Sequence, residues 1–266
     1  DIHELIELKD KFPKPLPSIF LPTTHGTASE VTMWGTIWDM KEKKKYSISN
    51  PALYPSIAIL DGFLTLTLPL DISIITVMDA LSHSFEAIWN KNANDKSTNY
   101  AIDAITIILK NVNFLKQNST DLTVRNKLLK ASNLAGLAFS NTATAAAHSI
   151  SYPLTINYAI PHGVASSLPL LPLLQINKSA IEKELKLIMK KLKMSQFSEL
   201  QNCIKEIPKN IVKFNLKSWG VTQSDLSVLV EQSFTKGRME NNIIDLSKND
   251  VLSILKYIFK DKDVYN

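Results

Sequence analysis

Asp79 and His83 stand four residues apart in the apolar segment ISIITVMDALSHSFEAIW (72–89), and His148 and His162 fall in a second cluster well downstream. On a helix, positions i and i+4 lie one above the other on a single face. A carboxylate and an imidazole in such surroundings are costly unless something neutralises them, and a divalent cation would do so. Histidine nitrogen and carboxylate oxygen both ligate zinc and ferrous iron. Taken alone, the D-x-x-x-H spacing fits a hydrogen-bonded core histidine at least as well as a metal ligand. The second cluster, AAAHSISYPLTINYAIPHGVASS (145–167), shifts that balance. His148 follows a run of small residues that lets another helix backbone approach closely. His162 sits on a rigid turn between Pro161 and Gly163, and two histidines flanking such a break can converge on one point.

The elements that must position these residues divide the chain in two. Residues 1–62 read as mixed α/β. IHELIELKDKF (2–12) has amphipathic helical spacing, and SIFLPTT (18–24) is an apolar run of strand length. TMWGTIWDM, the charged turn KEKKK and YSI then read as a hairpin, and SIAILDG (56–62) as a short buried strand. Residues 63–266 carry helical spacing, including 199–214, 224–234 and 248–259. TVRNKLLKASNLAGLAFSNTATAAAHSISY reads as one helical stretch. Ser224 with Asp225, and Ser247 with Asn249, offer N-caps. Prolines 153, 161, 169 and 172 predict a broken loop-and-helix crossing between 152 and 172.

Composition sets outer limits. The chain has 266 residues, 45% apolar and 21% charged, ordinary values for a globular protein able to bury a substantial core. A formal charge of +5 points to neither nucleic acid nor a membrane surface. The single cysteine, Cys203, leaves no internal disulfide and suits a reducing, cytoplasmic setting. No apolar run reaches the roughly 18 residues of a membrane span.

Seven glycines occur, none with the spacing of a complete dinucleotide or Walker loop. GTASEVT (26–32) combines a glycine turn with the hydroxyls of Thr27, Ser29 and Thr32, after the pair Thr23 and Thr24. Hydroxyls and backbone N–H groups at such a turn can hold a pyrophosphate or ribose. Thr27 with Glu30 equally fits a helix capping box.

Four blocks, in order, carry a family resemblance. LPTTHGTASEVT (21–32) resembles the signature of the iron-containing (group III) alcohol dehydrogenases, whose usual form is close to IPTTAGTGSEVT. DGFLTLTLP (61–69), MDALSHSFEA (78–87) and HSISYPLTINYAIPHGVA (148–165) resemble its later blocks. The resemblance implies a dehydroquinate synthase-like architecture: the α/β remnant of a nucleotide-binding domain followed by an all-α metal-binding domain. It implies a catalytic Fe2+ or Zn2+ held by Asp79, His83, His148 and His162. It places NAD(P) against Thr23, Thr24, Thr27 and Thr32, with Lys45 beside the cofactor. The rest of 41–45 reads as a solvated charged turn. The implied reaction is hydride transfer between NAD(P) and a small alcohol or aldehyde whose oxygen the metal polarises.

Departures from the family pattern add further expectations. Many members have a histidine four residues after the equivalent of His148; here Tyr152 stands there, either as a proton or hydrogen-bond donor or as packing. His25 replaces a common alanine and is a candidate contact for a phosphate or substrate anion. A GGGS-type glycine turn that holds the pyrophosphate in the family is absent before residue 18, so weak or absent NAD(P) binding is expected. Unpaired strand edges at 18–24, 34–39 and 56–61 predict a homodimer formed by edge pairing. WGTIWDMKEKKKYSISNPALYPSIAILD, HSISYPLT and KGRMENNIIDLS (236–247) are similar to the phosphonoacetaldehyde reductase branch, with Arg238 and Lys236 or His25 as partners for a phosphonate. The alternative is a metal-binding helical fragment without redox activity.

Overall fold

The computed structural model describes residues 15–39, 41–42 and 44–259; the helix expected at 2–12 lies outside them. Three long helices form the core: α1 (Leu70–Ile88), α2 (Asp95–Gln117) and α3 (Leu122–Thr142). Asn94 and Ser97 cap α2 reciprocally, each side chain accepting the other's backbone N–H at 3.0 Å. Asp121 caps α3 by accepting from Val124 N at 3.0 Å. Ile74, Met78, Leu81 and Phe85 of α1 pack with Ile105, Ile108 and Leu115 of α2 and Leu128 of α3, all buried. Arg125 on α3 is buried, has no carboxylate partner among the described residues and satisfies its fork on neutral acceptors. Its Nη1 donates to Ser73 Oγ (2.8 Å), Nη2 to the Leu68 carbonyl (3.0 Å) and Nε to the Ser119 carbonyl (2.8 Å). The first turn of α1 is thereby pinned to the α2–α3 connection.

The long helical stretch expected through 123–152 is interrupted. Ala143 adopts φ 60 and ψ 176, ending α3, and α4 (Ala146–Tyr158) begins three residues later. Among the four prolines, Pro161 and Pro169 do stand immediately before α5 (His162–Ser167) and α6 (Leu170–Asn177). Pro153, by contrast, lies inside α4 without ending it. An internal proline costs about 3 kcal/mol, but Ala146–Leu154 are all buried, and that packing offsets the cost. Helices α7 (Glu182–Leu192), α8 (Phe197–Glu206), α9 (Leu226–Gln232) and α10 (Lys248–Phe259) complete the helical part. Helix α8 ends earlier than the expected 214, with Pro208 just beyond it. The cap ahead of α9 is Thr222 with Asp225 rather than Ser224, while Ser247 caps α10 with Asp250. No described helix is long and apolar enough to cross a membrane.

The α/β part holds two small sheets. β2 (Trp34–Asp39) and β3 (Lys44–Ser49) form the expected hairpin, antiparallel with Trp34 opposite Ser49 and Asp39 opposite Lys44. Asp39 Oδ1 accepts from Lys41 N and Glu42 N, both at 2.9 Å, and sets the turn. β1 (Ile19–Phe20) and β4 (Ile57–Ala58) pair in parallel over two residues only. The strand at 56–62 was expected to be buried, yet Ile57 and Ile59 are exposed, as are Ile19 and Leu21. Among the described residues, the short turn at Ser29–Val31 is in contact with both strands, yet these four apolar side chains stay exposed.

Two glycines allow close approaches that set the site. At Gly136 on α3, an added Cβ would stand 2.3 Å from Ala28 Cβ, so the turn at 28–31 lies directly on that helix. At Gly163 on α5, a Cβ would stand 2.4 Å from the Ile75 carbonyl oxygen of α1. Because that obstacle is backbone, Gly163→Ala must force α5 away from α1. A loss of about 1–3 kcal/mol is expected, read as a lower urea midpoint at unchanged m-value.

Candidate metal centre

Asp79 and His83 occupy successive turns on the inner face of α1, and Glu86 follows one turn later; all three are buried. The small-residue turn at 143–147 delivers His148 in the first turn of α4, also buried. One donor atom each from Asp79, His83 and His148 lie within 4.8 Å of one another. His148 Nε2 is 3.6 Å from Asp79 Oδ1, and His83 Nδ1 is 4.0 Å from Asp79 Oδ2. His162, the first residue of α5, joins from the side with its ring centroid 5.3 Å from that of His148. The ring of His83 stacks between Phe139 (4.2 Å) and His148 (4.4 Å).

Neighbouring groups hold these side chains in place. Ser166 Oγ donates to Asp79 Oδ1 at 2.7 Å, and Ser82 Oγ donates to the Ser166 carbonyl at 2.8 Å. Glu86 Oε1 accepts the backbone N–H of His148 at 3.1 Å, and Oε2 meets its ring Nδ1. Sequence reasoning passed over Glu86, although its position seven after Asp79 and three after His83 places it on the same helical face. Ser166 carried no local signal, since its partner lies 87 positions away.

The electrostatics follow from burial and crowding. Burial works against ionisation of Asp79, but the imidazoles of His83, His162 and His148 outweigh it and hold the carboxyl below its usual range. Burial pushes His83 down to about 3 and His162 down to about 4, so both are neutral with lone pairs to donate. Burial opposes charge on His148 as well, but Glu86 and Asp79 overcome it and raise the ring to about 10. His83 Nδ1, His148 Nε2 and His162 Nδ1 are buried ring nitrogens without a hydrogen-bond partner. Leaving three such atoms unsatisfied costs about 1–3 kcal/mol each. A divalent cation would accept Asp79, His83 and His148, whose donor atoms form one group, while His162 stands outside that group on the same cavity wall, so the residues present fit a metal of the Fe2+ or Zn2+ type.

The donors line a cavity of about 520 Å³. Thr27 and Thr32 form part of its wall together with Trp34, Trp38 and Phe139. Thr23 and Thr24 lie outside that lining. The Thr27–Glu30 capping box does not form: Ala28, at φ 49, precedes the 29–31 turn without a side-chain cap, and Glu30 accepts from Asn133 Nδ2 at 2.9 Å. His25 is fully buried beside Thr76, away from the cavity, so it cannot meet a phosphate there; burial pushes it down to about 3. Lys45, Tyr152 and Arg238 close the other end, with Lys45 Nζ 3.5 Å from the centre of the Tyr152 ring. Burial lowers Lys45. Burial would raise the Tyr152 phenol, but Lys45, His148 and Arg238 leave it lowered. An adjoining cavity of about 550 Å³ shares Lys45, Tyr152 and Arg238 and adds Lys44 and Lys236.

Comparison with known proteins is consistent across sequence and structure. Residues 73–259, more than half of the chain, match the model of the Fe-containing alcohol dehydrogenase family, C-terminal, and residues 2–62 match that of iron-containing alcohol dehydrogenase. A long-chain-alcohol dehydrogenase 1 from Geobacillus thermodenitrificans is 29% identical over 256 residues, covering 92% of this chain and 64% of that protein. A phosphonoacetaldehyde reductase from Streptomyces viridochromogenes is 31% identical over 165 residues, covering 62% of this chain and 42% of its own length. The crystal structure of sulfoacetaldehyde reductase from Bifidobacterium kashiwanohense in complex with NAD+ superposes with a TM-score of 0.85 at 30% identity, covering 92% of this chain and 66% of that one. The chain thus spans less than two thirds of each of these relatives. With its α/β piece of a nucleotide-binding domain followed by an all-α domain, and with both family models matched in order, this chain belongs to the iron-containing alcohol dehydrogenase family.

Proposed function

We propose that the chain serves a metal-dependent, NAD(P)-linked alcohol dehydrogenase or aldehyde reductase, with residues 1–62 belonging to the nucleotide-binding domain and 63–266 to the metal-binding domain. The observation that carries this reading is the set of three unpartnered buried ring nitrogens gathered with Asp79 at one cavity. When bound, Fe2+ or Zn2+ supplies Lewis acidity toward the substrate oxygen, and NAD(P) supplies or takes the hydride. The protein's own part is to hold and exclude. Asp79, His83, His148 and His162 furnish the donors, and Ser166 keeps the Asp79 carboxylate in place. Thr27 and Thr32 offer hydroxyls along the cavity wall to the cofactor, and Lys45 stands at its end; Thr23 and Thr24 would meet the cofactor only outside this cavity. Tyr152, one helical turn beyond His148 and on the cavity wall, would pass a proton to or from the substrate oxygen, with Lys45 against its ring.

The second cavity bears on substrate. Lys44, Lys45, Lys236 and Arg238 make it cationic, and neither cavity has an acidic side chain other than Asp79 among its described lining residues. That distribution suits a short aldehyde with an anionic group at its far end, such as phosphonoacetaldehyde. Two relatives bear names of this kind, one acting on phosphonoacetaldehyde and one on sulfoacetaldehyde. For assembly, the apolar surface of β1 and β4 supports a homodimer through that sheet edge.

His148→Ala and His162→Ala should each lose stoichiometric metal, measured by elemental analysis, together with NAD(P)H-dependent reductase activity. Full turnover of metal-depleted wild type would overturn the assignment, while bound metal without turnover would favour a metal-binding module lacking redox activity. Tyr152→Phe should lower kcat roughly a hundredfold or more if the phenol transfers the proton; an unchanged kcat would remove that role. Phosphonoacetaldehyde should be preferred over butanal in kcat/KM, and Arg238→Ala should erase the preference. Equal use of both aldehydes by wild type would sink the anionic-substrate reading.

A further inference from the structure

We infer that Glu86 is the positioning residue of the metal centre, holding His148 by backbone and ring at once and directing its Nε2 to the ion. The inference rests on the metal-centre reading above.

Glu86 is fully buried in the last turn of α1, and among the described residues no lysine or arginine pairs with it. Its two oxygens divide the work. Oε1 accepts the backbone N–H of His148 at 3.1 Å. That N–H belongs to the first turn of α4, whose own Ala145 provides no side-chain cap. A carboxylate from a different helix therefore caps α4, in the position where negative charge is favourable to a helix start. Oε2 meets Nδ1 of the same residue. An ionised carboxylate can only accept hydrogen bonds, so Nδ1 must carry its hydrogen toward Glu86. Nε2, on the opposite side of the ring, is then the atom directed at Asp79 Oδ1, 3.6 Å away, where it has no hydrogen-bond partner. One side chain thus determines where α4 starts, which way the imidazole faces and which nitrogen is turned toward the ion. Carboxylates that grip a ligand histidine from behind typically change metal affinity by about 10–100-fold when removed.

The test compares wild type with Glu86→Gln, which preserves volume but places an amide N–H2 where an acceptor is needed. Zn2+ dissociation constants come from chelator competition, the site's geometry from the visible spectrum of the Co2+-loaded chain, and stability from urea unfolding of the metal-free chain. Glu86→Gln should bind Zn2+ roughly 10–100-fold more weakly and shift the Co2+ bands. Unchanged Zn2+ affinity and Co2+ spectrum, with only a lower urea midpoint, would mean that Glu86 merely supports packing and would overturn the inference. Failure of wild type itself to bind Zn2+ or Co2+ would overturn the metal-centre reading instead. Nitrogen NMR of the Zn2+-loaded wild type decides the matter even if the variant does not fold. Metal at Nε2 of His148 with hydrogen on Nδ1 is expected, and metal at Nδ1 would refute the role given to Glu86.

Discussion

Two carboxylates and an imidazole share the inner face of α1 inside an otherwise apolar core, and the surrounding architecture answers the cost of keeping them there. Removing an ionised carboxylate from water costs several kcal/mol even after the protein relaxes. Among the described residues no lysine or arginine forms an ion pair with Asp79 or Glu86; their compensation comes from imidazoles, hydroxyls and a backbone N–H. The compensating groups lie 62 and 87 positions away in the chain. Satisfying α1 therefore requires α4 and α5 to be present in one defined pose. A loosely packed version of the same helices would leave buried charge without partners.

That pose depends on backbone approaches that ordinary side chains would prevent. Helix α5 comes so near α1 that only glycine fits at 163, and the turn at 28–31 touches α3 at Gly136 in the same way. Arg125 acts at the other end of α1, tying its first turn to the α2–α3 connection through three neutral acceptors. With α1 anchored and α5 held against it, His162 and Ser166 reach the same small volume from one short helix. The hairpin closes the cavity from outside. Trp34 stacks on Phe139 and Trp38 lies edge-on to Tyr152, so the α/β piece and the helical part share one wall.

What could be read in advance was whatever depends on short spacing. The Asp79–His83 repeat, the histidines around the 153–161 break, the Trp34–Ser49 hairpin and the cap at Ser247 are all local patterns. Features set by distant parts of the chain escaped. Alanine-rich 143–147 has high helical propensity, yet Ala143 leaves the helix, and its carbonyl accepts from Asn90 Nδ2 at 3.1 Å. Pro153 looks like a breaker but sits in a helix whose burial compensates it. His25 looks like a turn residue free to meet an anion, and packing against α1 buries it. Glu86 was the exception, since its helical phase with Asp79 and His83 was available from spacing alone.

Charge placement also separates the two ends of the active cavity. Once a divalent ion displaced the Nε2 proton of His148, the donor set would bring one negative charge from Asp79, and the ion would keep net positive character toward the cavity. Glu86 adds its charge behind His148, where it strengthens the ring as a donor without occupying a position on the ion. The opposite end is cationic through Lys45 and Arg238, with Lys236 and Lys44 beyond them. A molecule with an oxygen at one end and an anion at the other meets favourable charge at both. A plain alkyl aldehyde meets it at one end only and offers Lys45 and Arg238 no anion. Under the proposed anionic substrate, the same asymmetry that orients the aldehyde would penalise its uncharged analogue, which would make specificity a property of the far end of the cavity and not of the metal centre.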